Sequence, residues 1–189
     1  MAQSTSELQT GKPYGKPDGS ARRTRLREFQ SQLVERMQAA RTGVDTRVSQ
    51  LGVVIGQRRW LLSLQEAGEI VSVGSITKVP LTHEWFLGLT NIRGNLISVI
   101  DFSQFQGHGA STIDKESRIV AFAPSLSFNC GLLVTRVLGL RNVADMEQKS
   151  DPNSLPWSSQ HYVDRDSQVW TELNLSLVVQ DPLFLQVGL

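Results

Sequence analysis

The stretch WFLGLTNIRGNLISVIDF, residues 85–102, decides the fold that we expect for this chain. Two apolar runs, residues 85–89 and 96–100, flank a polar turn that contains glycine, which is the pattern of two β-strands joined by a tight connection. Gly94 can adopt a positive φ that a residue with a Cβ resists. We therefore expect a β-hairpin whose turn presents the Arg93 side chain outward, where it can bind a partner.

The same stretch resembles the signature of the CheW family, the adaptors that couple chemoreceptors to a histidine kinase. The residues that stand in register with this signature are Gly88, Asn91, Arg93, Gly94 and Asp101. Ahead of them, Pro80 and Trp85 stand at the distances found in the PilI-type branch of the family, which serves type IV pili and twitching motility. The order of elements resembles the family from about residue 51 to residue 189.

For the fold, the resemblance implies two SH3-like, five-stranded β-barrels that share an apolar core. It implies two partners, the cytoplasmic tip of a chemoreceptor and the regulatory domain of a CheA-type histidine kinase. The implied receptor-binding residues are Ala67, Glu69, Gly88, Asn91, Arg93 and Gly94. Arg93 would donate charge-assisted hydrogen bonds to the receptor, and Glu69 would accept them from a basic or amide group. No local motif marks the kinase-binding residues, which stay unassigned.

The residues themselves, without the resemblance, predict about nine or ten short strands and hardly any helix. Hairpins are expected within residues 51–64 and 119–134, and a further strand at 71–79. The alternating leucines and valine of residues 173–179 predict another strand. This is the pattern of an all-β barrel or sandwich, and it does not distinguish two small barrels from a single larger one.

Short helices are expected after two aspartates, and a longer helix is expected near the N-terminus. Asp101 is expected to cap one helical turn, and Asp181 with Pro182 to begin a short C-terminal helix. Residues 1–19 are polar, with scattered glycine and proline, and predict a disordered tail. Residues 20–43 predict an amphipathic helix, because apolar residues recur there at spacings of three and four.

The apolar face of this N-terminal helix has three possible neighbours. It could pack on the chain's own domain, which we expect at residues 48–189, dock on a partner protein, or lie on an anionic membrane surface. No stretch approaches the roughly 18 apolar residues that a membrane span needs. The first residues also lack the basic and apolar regions of a signal peptide. We therefore expect a cytoplasmic protein that reaches receptor arrays by association.

Charge is divided unevenly along the chain. Residues 1–47 carry nine Lys and Arg against five Asp and Glu, whereas residues 48–189 carry ten against thirteen. An alternative function is that of a small β-barrel that binds single-stranded nucleic acid by stacking aromatic side chains on bases. Phosphate binding needs positive charge, so the net negative charge of the expected domain argues against this alternative.

The sequence contains no pattern of catalytic or metal-binding residues. The histidines are His83, His108 and His161, which are far apart and have no second ligand type at metal spacing. Cys130 lies in an apolar run and is expected to be a buried hydrophobic residue. Glu66 and Glu69, which are three residues apart and come nearest to a catalytic pair of carboxylates, are expected to form an exposed acidic edge. We expect a binding protein that is not an enzyme and needs no cofactor. A CheV-type adaptor would add a receiver domain, for which the chain is too short.

Overall fold

The computed structural model describes residues 49–150, 155–158 and 160–189. The predicted tail and the predicted N-terminal helix lie outside these ranges. The described chain is built mainly of β-strands, so the all-β prediction is confirmed. The strands are β1 Ser49–Ile55, β2 Arg58–Ser63, β3 Ala67–Ser72, β4 Phe86–Ile92, β5 Asn95–Ile100, β6 Arg118–Phe122, β7 Cys130–Val134, β8 Arg136–Asn142, β9 Glu147–Lys149, β10 His161–Val163 and β11 Val169–Leu173.

The remaining described elements are two 3₁₀ turns, Pro124–Leu126 and Val143–Asp145, and three α-helices of four residues. The helices are α1 Phe102–Phe105, α2 Leu175–Val178 and α3 Pro182–Leu185. Asp101 caps α1 by accepting the backbone N–H groups of Ser103 and Gln104, and Asp181 caps α3 by accepting that of Leu183, as the sequence predicts. None of the helices in the described part of the chain is long and apolar enough to cross a membrane.

The strands form two sheets. One sheet has six strands in the order β8-β1-β2-β11-β10-β9, and the other has five in the order β3-β6-β7-β5-β4. Neighbouring strands are antiparallel, except that β2 pairs with β11 and β5 with β7 in parallel. The resemblance implied five strands in each barrel, and the sixth strand of the first sheet is β9, which adds to β10 at the edge.

The inner strands bury side chains on both faces. A central apolar cluster draws on both sheets and includes Trp60, Leu62, Val120, Phe122 and Leu132. A second cluster belongs to the five-stranded sheet, and its buried members are Ile92, Ile97, Val99, Ile119, Ala121 and Leu133. A third belongs to the six-stranded sheet, with Leu61, Tyr162 and Trp170. Because successive residues of a strand point to opposite faces, each sheet contributes to its own cluster and to the shared core.

The segment between β3 and β4 closes the five-stranded sheet into a small barrel. Thr77 and Leu89 exchange both backbone hydrogen bonds, at 2.8 and 2.9 Å. The hydroxyl of Thr90 donates to the carbonyl of Ser75 at 2.9 Å. These bonds fix the segment against β4, which is otherwise an edge strand.

Two predicted strands are wrong in their placement. The expected strand at residues 71–79 is instead β3, which begins at Ala67 and ends at Ser72. The expected strand at residues 173–179 ends at Leu173 and gives way to α2. The cause is Asn174, whose side chain accepts the backbone N–H of Leu177 and so begins a helix.

Candidate functional site

The hairpin of β4 and β5 ends in a two-residue turn made of Arg93 and Gly94. Both residues have positive φ, 50° and 91°, which is the pattern of the type I′ turn that matches the twist of antiparallel strands. The side-chain oxygen of Asn91 accepts the backbone N–H of Gly94 at 2.8 Å and fixes the turn further. The side chain of Arg93 is 80% exposed, in agreement with the predicted outward arginine.

Arg93 forms an ion pair with Glu69, with 2.7 Å between Nε and Oε1. Glu69 lies on β3 and Arg93 directly follows β4, so the pair joins the two edge strands of the five-stranded sheet. An exposed ion pair contributes only about 0.2–1 kcal/mol to stability. Its more important consequence is positional, since it holds a carboxylate and a guanidinium at one place on the surface. The terminal nitrogens of Arg93 have no partner among the described residues, so their N–H groups can bind another molecule.

Two surface depressions border this ion pair, and we call them together the ion-pair groove. The first, of about 370 Å³, lies between the hairpin and the loop after β6, and the second, of about 250 Å³, lies between β3 and β4. Both are lined by Glu69, Ile92 and Arg93. Further apolar side chains line one or the other: Val71, Ile97, Ile119, Phe122 and Phe128. An apolar floor beside a fixed pair of opposite charges suits the binding of another protein.

The structure brings four of the six predicted receptor-binding residues together. Glu69, Asn91 and Arg93 line the ion-pair groove, and Gly94 belongs to the same turn. The other two residues do not line it. Ala67 lies two positions before Glu69 and packs against the central apolar cluster. Gly88 is buried, and a Cβ added to it would overlap the carbonyl oxygen of Thr77.

The apolar lining of the groove was missed from the sequence. Ile92 stands between two predicted site residues, and Phe122 and Phe128 lie far along the chain. They come from different strands and a loop, so only the sheet order brings them together. No local signal marks this lining, because the alternation along β4 predicts only that Ile92 is buried and not that it lines the groove.

The expected acidic edge of Glu66 and Glu69 is wrong for Glu66. The Glu66 carboxylate accepts the backbone N–H groups of Leu175 at 2.8 Å and Ser176 at 3.2 Å, and also the Ser176 hydroxyl. It therefore caps the first turn of α2 from a distant part of the chain. This contact links the segment before β3 to the helix that follows the six-stranded sheet.

The resolved pKa shifts lie away from the ion-pair groove. Burial raises the pKa of the Cys130 thiol to about 12, as expected for a buried cysteine. Burial alone would raise the pKa of Asp164, but hydrogen bonds from the Trp170 indole and the backbone N–H groups of Gln168 and Asp166 outweigh it and lower the pKa. Within the described ranges, no group of three or more His, Cys, Asp or Glu side chains could hold a metal ion.

These features define a class of protein, namely a β protein whose two sheets share an apolar core. Its candidate binding site is a groove beside the β4–β5 hairpin, with an apolar floor and a fixed pair of opposite charges. A sequence profile described as the CheW-like domain matches residues 50–182. The chain belongs to the CheW-like domain family.

Relatives and a solved structure agree with this assignment. The chain is 29% identical over 94 residues to Protein PilI of Pseudomonas aeruginosa, which covers 50% of this chain and 52% of PilI. It is 27% identical over 89 residues to Protein FrzA of Myxococcus xanthus, which covers 47% of this chain and 55% of FrzA. The chain thus spans about half the length of the curated relatives that it matches.

The solved structure is that of the scaffolding protein TtCheW from Thermoanaerobacter tengcongensis. It matches with a TM-score of 0.58 and 25% sequence identity, over 67% of this chain and 84% of that chain. The resemblance drawn from residues 85–102 is therefore confirmed at the level of both sequence and fold.

Proposed function

We propose that this chain is a non-enzymatic adaptor that couples a chemoreceptor to a CheA-type histidine kinase. The observation that carries the proposal is the CheW-like match, which spans residues 50–182 and so includes every residue of the ion-pair groove. Similarity to PilI directs the proposal toward a type IV pilus or twitching-motility pathway. The adaptor would act in the cytoplasm, at receptor arrays.

The ion-pair groove would receive the helical tip of the receptor. Its apolar floor, including Ile92, would take apolar side chains of that tip. Arg93 would donate charge-assisted hydrogen bonds to a carboxylate or carbonyl, and Glu69 would accept from a basic or amide group. Because the turn and the ion pair already hold these groups in place, little conformational entropy is lost when a partner binds.

Assembly alone would suffice as the mechanism. A receptor that changes state would change its contacts with the adaptor. The adaptor would pass this change to the kinase, because it binds both partners. The kinase would bind elsewhere on the same chain, so that both partners can be held at once.

The nucleic-acid alternative gains no support from the surface. Single-stranded nucleic acid requires exposed aromatic rings for stacking. Among the described residues, the most exposed large hydrophobic side chains are all aliphatic, and Leu81, Leu183 and Leu189 lead them. The structure therefore favours recognition of a protein.

A pull-down from an extract of the protein's own organism tests the proposal. The purified full chain should recover a chemoreceptor and a CheA-type kinase, identified by mass spectrometry. Arg93→Ala should reduce receptor recovery by about tenfold, because it removes the donors at the groove. Circular dichroism should show that the variant stays folded.

Arg165→Ala provides the matched control for this experiment. Arg165 is also an exposed arginine, with 83% exposure and a partner carboxylate, Asp145, at 3.7 Å, but it lies beyond β10 in the other sheet. Receptor recovery should be unchanged in this variant. Equal loss in both variants would contradict the site, and recovery of neither partner by the wild type would contradict the adaptor function itself.

A further inference from the structure

The second depression of the ion-pair groove lies in the gap between β3 and β4, the two edge strands of the five-stranded sheet. In the described chain these two strands are not hydrogen-bonded neighbours, so no backbone pairing between them sets the width of the gap. The lining runs on one side from Thr90 to the turn at Arg93, and on the other side it includes Glu69 and Gly74. The Glu69–Arg93 ion pair therefore spans the gap at one end, and Thr90 lies at the other end.

Thr90 is a polar residue on the buried face of β4. Its neighbours on that face are Gly88 and Ile92, and only 6% of its surface is exposed. Its hydroxyl donates to the carbonyl of Ser75, with 2.9 Å between the two oxygens. Valine has almost the same shape and no hydroxyl to desolvate, so packing alone would favour valine at this position. What the threonine adds is the hydrogen bond to Ser75.

This hydrogen bond fixes the backbone just beyond the end of β3 against β4. β3 ends at Ser72, and Ser75 follows three residues later. Glu69 lies on the same strand, so a movement of Ser75 away from β4 would widen the gap and displace Glu69 from Arg93. The strength of their contact depends on the separation and the alignment of the two groups. The Thr90 hydroxyl is thus connected to the geometry of the ion pair.

A second connection across the same gap lies farther from the ion pair. Thr77 and Leu89 exchange backbone hydrogen bonds, and each lies farther along the chain from the ion pair than Ser75 and Thr90 do. This connection limits how far the segment after β3 can move, but the part nearest the ion pair depends on Thr90. We therefore expect loss of the Thr90 hydroxyl to shift the ion pair without opening the sheet.

We propose that Thr90 is a positioning residue of the receptor-binding site, because its hydroxyl sets the width of the second depression and with it the alignment of Glu69 and Arg93. This role rests on the proposed function of the ion-pair groove, since its geometry matters only if a receptor binds there. Thr90 acts through the ion pair and not through contact with the receptor.

Nuclear magnetic resonance of the ¹⁵N-labelled full chain tests the alignment without a receptor. The signal to follow is that of the Arg93 Nε–H group, whose nitrogen lies 2.7 Å from Oε1 of Glu69. Thr90→Val removes the hydroxyl, so it should shift this signal and speed the exchange of its proton with water. Thr90→Ser keeps a hydroxyl and should restore the wild-type signal. Thr90→Ala also removes the donor and takes the place of Thr90→Val if that variant does not fold.

Thr135→Val is the matched control for these variants. The Thr135 hydroxyl donates to the carbonyl of Gly56 at 3.2 Å, and neither residue lines the ion-pair groove. The control therefore removes a hydrogen bond of the same kind from another part of the molecule, and the Arg93 signal should not change. Equal changes in Thr90→Val and Thr135→Val, or an unchanged signal in Thr90→Val, would overturn the proposal.

Receptor retention separates the positioning role from the proposed function of the groove. In the pull-down, Thr90→Val should retain about threefold less receptor than the wild type, as expected for the loss of one hydrogen bond. Thr90→Ser and Thr135→Val should retain as much as the wild type. A wild type that retains no receptor would contradict the proposed function of the groove. Retention that falls in Arg93→Ala but not in Thr90→Val would contradict the positioning role alone.

Discussion

At the residue scale, Gly88 decides how the five-stranded sheet closes. Its φ of 130° is one that residues with a Cβ rarely adopt, and an added Cβ would overlap the Thr77 carbonyl. That carbonyl accepts the backbone N–H of Leu89 at 2.9 Å, so the segment with Thr77 cannot move away from β4 without breaking the hydrogen bond that closes the sheet. Gly88, the first glycine of the family signature, thus has a structural role in this chain in addition to any role in binding.

We predict that Gly88→Ala lowers the free energy of unfolding by about 2–4 kcal/mol, from backbone strain and overlap together. Urea denaturation followed by circular dichroism measures this. Gly74→Ala is the matched control, because an added Cβ there meets no atom within 4 Å, and we expect a change within about 0.5 kcal/mol or a slight gain. Equal effects of the two substitutions would contradict the closure argument.

The buried thiol of Cys130 makes the free energy of unfolding depend on pH in the alkaline range. Its thiol pKa rises from 9.0 to about 12 because the residue is buried. The unfolded chain releases this proton near the lower value and the folded chain keeps it, so the contribution is fully present below about pH 9 and is lost as the pH rises to about 12.

We therefore predict that the wild type loses about 1 kcal/mol more than Cys130→Ala when the pH is raised from about 8 to about 10. Urea denaturation of both proteins at both pH values gives the four free energies of unfolding that the comparison needs. The cavity left by the substitution lowers stability at both pH values and cancels in the difference. An equal loss in both proteins would show that the thiol ionises as readily in the folded chain as in the unfolded one.

At the scale of secondary-structure elements, Glu66 and Glu69 have different roles although they lie only three residues apart. Glu66 accepts backbone N–H groups at the start of α2, whereas Glu69 pairs with an exposed arginine. Removing Glu66 leaves partly buried N–H groups without an acceptor, which is costly, and removing Glu69 leaves only solvated groups.

We predict that Glu66→Ala lowers the free energy of unfolding by about 1–3 kcal/mol and that Glu69→Ala changes it by less than about 1 kcal/mol. Receptor binding should show the reverse order, with the larger loss in Glu69→Ala. Denaturation and a receptor pull-down on the same preparations measure both quantities. If Glu69→Ala were the more destabilising substitution, the assignment of the two roles would be wrong.

The hairpin of β4 and β5 could be predicted from its sequence because all its signals are local. A glycine turn between two apolar runs specifies it, as the aspartate caps specify α1 and α3. β3 could not be placed from its sequence, since Gly68 and Glu69 carry no strand signal and the strand is instead specified by its pairing with β6. Likewise, Leu175 continues an alternating pattern that predicts a strand, but the side chain of Asn174 caps a helix there instead.

The ion-pair groove could be predicted only in part. The resemblance supplied Glu69 and Arg93, but residue spacing alone could not show that they touch. The contact depends on closure of a sheet in which β3 and β4 are opposite edges. The carboxylate of Glu66 was misassigned for the same reason, because its partners lie more than a hundred residues along the chain.

At the scale of the whole molecule, two long-range parallel pairings join distant parts of the described chain. β2 pairs with β11, and β5 pairs with β7, with β6 between these two strands in the sequence. Such connections have no local signature, which is why the residues alone left open a single larger barrel. The central apolar cluster draws on both sheets, so a partner that displaces one sheet would disturb packing against the other.

This arrangement gives the proposed adaptor a physical connection from the ion-pair groove to α2. The ion-pair groove lies on the five-stranded sheet, and Glu66 connects the segment before β3 to α2 beyond the six-stranded sheet. Receptor binding at Glu69, three residues away, could therefore alter the position of α2. The structural requirement is that both partners bind one chain at the same time.

Reconstitution of a three-part complex tests that requirement most directly. A tagged CheA-type kinase from the same organism is immobilised, and the retained amount of a receptor cytoplasmic fragment is measured with and without the full chain. We predict that the fragment is retained only when the chain is present and that Arg93→Ala lowers retention of the fragment by about tenfold while the chain itself stays bound to the kinase. Retention without the chain, or competition between the two partners for it, would contradict the adaptor account.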